Sequence, residues 1–551
     1  MKSAVSPLTA ARASYKPKLP KVLLGASVAI KKGKSTESVA DQDAIQALFP
    51  KTYGQGEVNF VSGKGLKCAK PIQVAMVLSG GQAPGGHNVV AGLYDGLKKL
   101  NKKNRLFGYL GGPSGLVENK RIEITDKLLK DYRNTGGFDI VGSGRTKLET
   151  QEQFETVAAN LKSSGVSALV IVGGDDSNTN AAVLAEYFAA HESGICVAGC
   201  PKTIDGDLKN KDIEVSFGFD TATKVYAELT GNVERDCLSA KKYWHFIKVM
   251  GRSASHIALE VALKCQPNVC LISEEVADNK WTLAEVTEQI ARVVDDRSAH
   301  KKNYGVVVIP EGLLEFIPEM KKLIGVLNDD LAENIEFGML ETPAAKIEFV
   351  KSRLKGADLA AFESLPPSIQ GQLLADRDPH GNVQVSKIET EKLLMEAVDI
   401  LLKKWKKAGR YEGKFSTQGH FFGYEGRCAA PSNFDADYCY SLGFNAAHLL
   451  ASGSTGYLSS VRDLLKPAAS WRAGGVPLTS MMNMERRHGK EKPVILKALV
   501  DLKGKPFKAF ASQRAVWAKD DCYTAPGPIQ YWGPTQVADI VPETLRLEHK
   551  K

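Results

Sequence analysis

The chain has 551 residues, more than a single hydrophobic core serves, so two or three domains are expected. Its composition, 43% hydrophobic and 25% charged with 50 glycines, is that of a folded globular protein rich in tight turns and excludes a largely disordered one. The net charge of +9 comes from dispersed Lys and Arg without interleaved stacking aromatics, which points away from nucleic acid and is equally well met by small anionic substrates.

No apolar run approaches the ~20 residues that span a bilayer, and the N-terminus lacks the apolar core of a secretory signal, so a soluble, cytoplasmic protein without a membrane partner is expected. The first 36 residues contain no Asp or Glu, which fits either an organelle transit peptide or a short basic arm. The nine cysteines are odd in number and lack CxxC spacing, so they read as reduced core thiols.

In chain order, residues 1–70 read as an irregular, Lys-rich and Pro-containing arm. From about residue 71 the chain repeats strand, glycine turn and helix, the rhythm of a parallel sheet. The units are IQVAMVLSGGQAPGGHNVVAGLYDGLKKL, then FDIVGSGR, then the helix TQEQFETVAANLKSSG with the strand ALVIVGGDD, then NAAVLAEYFAAHESG with ICVAGCPKT. The strands are short and nearly all apolar, as burial on both faces requires. Thr150 with Gln153 forms a candidate capping box. These units make a first domain over 71–240.

A second αβ set begins near residue 241 with KYWHFIKVMGR, SHIALEVALKCQ, NVCLISEE, LAEVTEQIARVVDD and YGVVVIPEG. It implies a second doubly wound, Rossmann-like domain over 241–460, interrupted at about 315–415 by a charged, helix-periodic insertion. Residues 461–551 read as a C-terminal segment packing back on the domains.

In an open parallel sheet, ligands bind at the carboxyl ends of strands, and the glycine-rich and polar segments fall at such ends. SGGQAPGG, containing Gly80 and Gly81, either cradles phosphate with backbone N–H groups and a helix N-terminus or merely permits a tight turn. It does not match the Walker spacing, and it lacks the G-x-G-x-x-G turn of a dinucleotide-binding protein. Asp175, at a strand end, either holds a hard cation such as Mg²⁺ or is a turn aspartate. PKTIDGDLKN crowds Lys202, Thr203, Asp205 and Asp207 into six positions. As an Asp-Gly-Asp turn it does not match a calcium loop, which ends on a glutamate.

GGQAPGG, GGDDS, PKTIDGD, MGR, PEG and YEGR, in this order, resemble the pyrophosphate-dependent phosphofructokinases of the long-chain type. The likeness spans nearly the whole chain, and ARASYKPKLP resembles the start of that type, which favours the arm over a transit peptide. The resemblance implies the phosphofructokinase fold and Mg²⁺-dependent, reversible phosphoryl transfer from pyrophosphate to fructose 6-phosphate, in a homodimer or homotetramer. In the ATP-using branch the loop reads GGDG and the later segment begins with glycine, leaving space for the nucleotide. Here Asp176 would fill and repel that space. A carboxylate ~4 Å from a phosphate costs about 4 kcal/mol at the effective dielectric of a partly solvated site. Lys202, in place of the other glycine, would bind pyrophosphate and stabilise the departing phosphate.

By the same resemblance Asp205 is the general base toward the sugar 1-hydroxyl, Thr203 touches substrate and Asp207 sets the local electrostatics. Arg252 would steady the moving phosphoryl group, with Met250 and Gly251 beside it at the sugar, although an arginine opening a helix also reads as a surface charge. Glu311 would accept hydrogen bonds from sugar hydroxyls, and Tyr424 and Arg427 would grip the sugar and its 6-phosphate. Arg145 either adds a cation near the donor or is an inert turn residue. Two arginines that many relatives bring from a neighbouring subunit fall here at Tyr243 and Gln418, with Lys242 as a substitute cation. The alternatives are an ATP-dependent phosphofructokinase, against which Asp176 and Lys202 argue, and a noncatalytic regulatory subunit, against which Asp175, Asp205, Asp207 and Arg252 argue.

Overall fold

The structure is a computed structural model that describes residues 7–25, 28–63, 66, 68, 70–331, 334–375, 383–487, 490–529 and 541–550. Residues 1–6 of the arm and 530–540 of the C-terminal segment therefore lie outside the described residues. The chain divides into two compact units, Met1–Ala222 with Tyr424–Ala498 and Ile529–Arg546, and Thr223–Gly423 with Leu499–Pro528 and Leu547–Lys551. Residues 424–460, grouped by sequence with the second domain, thus pack in the first unit. Among the described residues no helix is long and apolar enough to cross a membrane.

In chain order the strands are β1 (Val28–Ser35), β2 (Gly56–Ser62), β3 (Gln73–Leu78), β4 (Arg105–Tyr109), β5 (Arg121–Ile124), β6 (Ala168–Gly173), β7 (Cys196–Pro201), β8 (Tyr243–Val249), β9 (Val269–Cys270), β10 (Tyr304–Pro310), β11 (Thr417–Phe422), β12 (Tyr457–Arg462), β13 (Arg472–Pro477), β14 (Met482–Arg487) and β15 (Lys490–Ile495). The first unit is built on a nine-stranded sheet in the order β1-β2-β13-β12-β7-β6-β3-β4-β5. Its centre, β12 through β4, is parallel, and both flanks are antiparallel. The β6 strand, ALVIVG, is buried at every position, which is why it appears in sequence as an unbroken apolar run.

The chain leaves β3 for β4 on one side and returns to β6 on the other, so the order reverses between β3 and β6. That switch point opens a crevice at the carboxyl ends of the two strands, where the loops after Leu78 and Gly173 lie. The helix Gln151–Ser163 leads into β6 and carries the expected capping box, with both Thr150 and Gln153 engaged.

Three sequence expectations are corrected. The arm is not irregular: β1 and β2 extend the sheet edge, and Arg12 is buried, donating to the Pro431 carbonyl at 2.6 Å. Strand β1 was hidden because only Val28 of its eight residues is buried and the rest is Lys-rich edge. FDIVGSGR is not a strand; Gly144 makes a single bridge to Ser79, and β4 and β5 supply the strands of that region. Its Phe138, Ile140 and Val141 are apolar because they are buried as loop anchors. In the second unit NVCLISEE yields only the two-residue β9 before the helix Ser273–Asp278, whose Glu274 Oε1 accepts N–H groups from Ser255 and Val500 at 3.0 and 2.9 Å.

The second unit has a parallel four-stranded sheet ordered β11-β8-β10-β9. The expected insertion is helical, from Pro318–Leu331 to Thr390–Lys407, and Leu323, Phe362, Leu394 and Leu402 belong to the same core as Trp244 and Val307 of the sheet. The C-terminal segment contributes the end of β12 and all of β13 to β15 to the first unit and the helix Lys505–Lys519 to the second.

Within the first unit the helices Gly86–Leu100 and Asn433–Ala451 pack so closely that a Cβ on Gly92 would stand 2.0 Å from the Tyr440 carbonyl oxygen. Gly325, inside Pro318–Leu331, has among the described residues no atom beyond its chain neighbours and its own helical backbone within 4 Å of its would-be Cβ. Gly92→Ala should therefore cost about 1–3 kcal/mol through overpacking, whereas Gly325→Ala should gain about 0.4–1 kcal/mol through unfolded-chain entropy. Denaturation midpoints of the two variants should move in opposite directions; a common direction would contradict the packing described.

Candidate active site

In the first unit, the loop after β3 enters the crevice through Ser79, whose N–H donates to the Val172 carbonyl at 2.8 Å and whose hydroxyl receives the Ser177 hydroxyl at 2.8 Å. Gly80 follows with φ +80°, a left-handed conformation that favours glycine, and its N–H donates to the Gly144 carbonyl at 2.8 Å. A Cβ on Gly80 would lie 3.2 Å from Lys202 Nζ, and one on Gly81 would lie 3.1 Å from Arg427 Nη1 and 3.6 Å from Arg145 Nη2. Three cationic side chains thus converge on two glycines. FDIVGSGR, though no strand, delivers Arg145, and the short helix Tyr424–Arg427 delivers Arg427, which donates from Nη1 to the Gln82 carbonyl at 3.2 Å.

The carboxylates come from two neighbouring loops. Asp175 and Asp176 begin the helix Asp175–Ala190, where its N-terminal N–H groups favour negative charge. Asp176 is half-exposed, and its Oδ1 lies 3.5 Å from Lys147 Nζ. Asp175 Oδ2 is buried, accepts no hydrogen bond among the described residues and lies 3.5 Å from Lys497 Nζ. After β7, Lys202 N–H donates to the Gly173 carbonyl at 2.9 Å, and Asp205 N–H donates to Thr203 Oγ1 at 3.1 Å. Asp205 Oδ1 is likewise buried without a hydrogen-bond partner among the described residues, with Arg427 Nη2 at 3.7 Å. Asp207 is buried, and its carbonyl accepts the Ala498 N–H at 2.7 Å.

These charges perturb one another. Burial, then the neighbouring Arg427 and Arg145, lowers Lys202 to about 8, against the opposing pull of Asp205 and Asp175. Burial, then Asp205 and Asp175, raises Asp207 to about 7, while Lys497 opposes the rise. The cluster suits a polyanion accompanied by a hard cation. The buried oxygens of Asp175 and Asp205 that accept no hydrogen bond among the described residues are the donors such a cation prefers, and the three side-chain cations are what phosphate oxygens prefer. Of the residues singled out from the sequence, Gly80, Gly81, Arg145, Asp175, Asp176, Lys202, Thr203, Asp205 and Asp207 lie in this unit as expected, and Tyr424 and Arg427, expected in the second domain, lie in it as well, with Tyr424 exposed. Sequence reasoning missed Lys147 and Lys497; the latter stands 322 positions after Asp175, in no motif that could announce it.

The second unit carries the other predicted residues. Met250 and Gly251 are buried at the end of β8, and the Gly251 N–H donates to Glu311 Oε2 at 3.1 Å. Glu311, buried at the end of β10, also donates its own N–H to the Val249 carbonyl at 2.9 Å, so one oxygen of this carboxylate shapes the MGR turn. Arg252 is exposed. Tyr243, at φ +70°, opens β8, and the ammonium of Lys242 just before it lies 5.0 Å from its ring centroid. Gln418 is exposed on β11.

The family pattern described as Phosphofructokinase matches residues 73–450. The chain belongs to the phosphofructokinase family. It is 56% identical over 546 residues to the pyrophosphate--fructose 6-phosphate 1-phosphotransferase of Porphyromonas gingivalis, covering 99% of each chain. It is 54% identical over 556 residues to the protein of the same name from Treponema pallidum (strain Nichols), covering 99% of this chain and 97% of the relative. Among solved structures, the pyrophosphate-dependent phosphofructokinase of Marinobacter aquaeolei aligns with a TM-score of 0.53 at 17% identity, covering 82% of this chain and 93% of that one, which shows the shared fold.

A buried ammonium that titrates near 8 makes anion binding pH-dependent. Affinity for inorganic pyrophosphate, measured by calorimetry, should fall as pH rises through about 8, because Lys202 then loses the proton that the anion requires. Lys202→Arg should carry the falling limb to higher pH, since guanidinium stays charged. An unchanged limb in that variant would assign the titration elsewhere.

Proposed function

We propose that this phosphofructokinase-family chain transfers a phosphoryl group reversibly from pyrophosphate to the 1-hydroxyl of fructose 6-phosphate, giving fructose 1,6-bisphosphate and phosphate with Mg²⁺ as cofactor. The observation that carries the reading is the convergence of Arg145, Lys202 and Arg427 on Gly80 and Gly81, beside carboxylates whose buried oxygens accept no hydrogen bond among the described residues. The names of the full-length relatives support the same reaction.

Pyrophosphate would be held beside Gly80 and Gly81 by the Gly81 N–H and by Lys202 and Arg145. Asp175 would hold Mg²⁺, with Asp205 and Asp207 nearby; when bound, the ion neutralises donor phosphate charge and makes the phosphorus more electrophilic. Asp205 would accept the proton of the sugar 1-hydroxyl on Oδ1, which accepts no hydrogen bond among the described residues, and the sugar oxygen would attack the near phosphorus. Lys202 would stabilise the departing phosphate, and Arg252 the phosphoryl group in flight. Thr203, Met250, Gly251, Glu311, Tyr424 and Arg427 would position the sugar phosphate, with Lys242 and Tyr243 contributed across a homodimer or homotetramer of a cytoplasmic protein. Exchanging one phosphoanhydride for one phosphoester, without a nucleotide's committing role, leaves the reaction near balance and serves either direction of sugar metabolism.

Donor choice follows from charge at the former nucleotide position. Asp176, held at 3.5 Å from Lys147, would oppose an α-phosphate, and Lys202 would reward a free phosphate. Purified protein should phosphorylate fructose 6-phosphate with pyrophosphate and not with ATP at comparable concentration; equal use of ATP would overturn the assignment. Asp205→Ala should lower kcat at least ~100-fold with an unchanged melting profile, and near-normal turnover would move the base elsewhere. Asp176→Gly combined with Lys202→Gly should weaken pyrophosphate use and admit some ATP, and an unaltered donor preference would contradict the charge argument.

A further inference from the structure

One strand of the C-terminal segment meets the donor side of the first unit. The Ile495 N–H donates to Thr179 Oγ1 at 3.2 Å, and the Ala498 N–H donates to the Asp207 carbonyl at 2.7 Å. These two anchors fix the backbone on either side of Lys497, one on the helix that begins with Asp175 and one on the loop that carries Asp205 and Asp207. Between them the Lys497 ammonium reaches Asp175 Oδ2 at 3.5 Å, with side-chain exposures of 27% and 17%, so solvent screens the pair less than it would on an open surface. That same oxygen is buried and accepts no hydrogen bond among the described residues. A buried carboxylate oxygen without a hydrogen bond is costly unless a cation stands near it; Lys497 is such a cation, and Lys202 also feels the Asp175 charge.

We infer that Lys497 is a positioning residue of the metal site, an internal counter-ion that holds Asp175 before a divalent cation binds and gives up its oxygen when the cation arrives. This rests on the proposed role of Asp175 as the cation's ligand. An ammonium and a divalent cation compete for one carboxylate, so the lysine lowers the free protein's affinity for the metal. Pyrophosphate relieves that competition, because the displaced ammonium then has phosphate oxygens to meet. Cation and donor therefore bind with positive coupling, and the coupling is carried by a residue from outside the family's sequence motifs.

The test is a titration of the full-length protein with Mn²⁺ alone, followed by electron paramagnetic resonance in the absence of any substrate. Lys497→Met and Lys497→Gln should each bind Mn²⁺ about fivefold more tightly than the parent protein, and Lys497→Arg should restore the weaker affinity. Damage to the fold would loosen Mn²⁺ binding, opposite to the predicted change. Adding inorganic pyrophosphate should tighten Mn²⁺ binding more in the parent than in Lys497→Met. Equal or weaker Mn²⁺ binding in both neutral variants, with binding still abolished by Asp175→Asn, would overturn the role of Lys497 alone. Mn²⁺ binding that survives Asp175→Asn would instead remove the assignment of Asp175 as ligand, and the inference with it.

Discussion

A lysine ammonium buried among two arginines is the constraint around which the first unit is arranged. Lys202 is 5% exposed, lies beside Gly80 and feels both Arg145 and Arg427. Burying like charges together is unfavourable unless anions compensate them, and here Asp175 and Asp205 do so only in part. A polyanion bound beside Lys202 would complete the compensation. The glycines belong to the same argument, because Cβ atoms at Gly80 and Gly81 would crowd the cation heads.

The rest of the first unit serves to hold those charges still. The reversal of strand order between β3 and β6 brings the loop after Leu78 beside the N-terminus of Asp175–Ala190. The Ser79–Ser177 hydroxyl contact and the Gly80–Gly144 hydrogen bond join three loops that come from distant parts of the sequence. Behind them Asp435 accepts from Gly218 N–H and Thr221 N–H at 3.0 and 2.8 Å, fixing the chain that follows the PKTIDGD loop. In the second unit a comparable economy appears at Glu311, where one buried carboxylate sets the turn that presents Arg252.

Legibility in the sequence followed burial. The strands β3, β6, β7, β8 and β10 announce themselves because each is buried on both faces and so is written as an apolar run. Thr150 and Gln153 were legible because a capping box is local chemistry at fixed spacing. Strand β1 was not, since its pairing with β2 satisfies backbone groups at a solvent-facing edge and leaves no apolar pattern. FDIVGSGR misled because a loop anchored by Phe138, Ile140 and Val141 has the composition of a strand without its pairing. Asp175, Lys202 and Asp205 drew notice because they follow glycine-punctuated strand ends, whereas Arg427 entered only through the resemblance carried by YEGR. Lys497 was invisible because only the tertiary fold carries it to Asp175.

The central claim is that pyrophosphate and its cation occupy the charged crevice of the first unit. A crystal structure of the protein with Mg²⁺ and a nonhydrolysable pyrophosphate analogue tests it most directly. The account predicts phosphorus density within reach of Lys202, Arg145 and the Gly81 N–H, with the metal on Asp175. Density for the analogue away from Lys202, or a metal bound without Asp175, would contradict it.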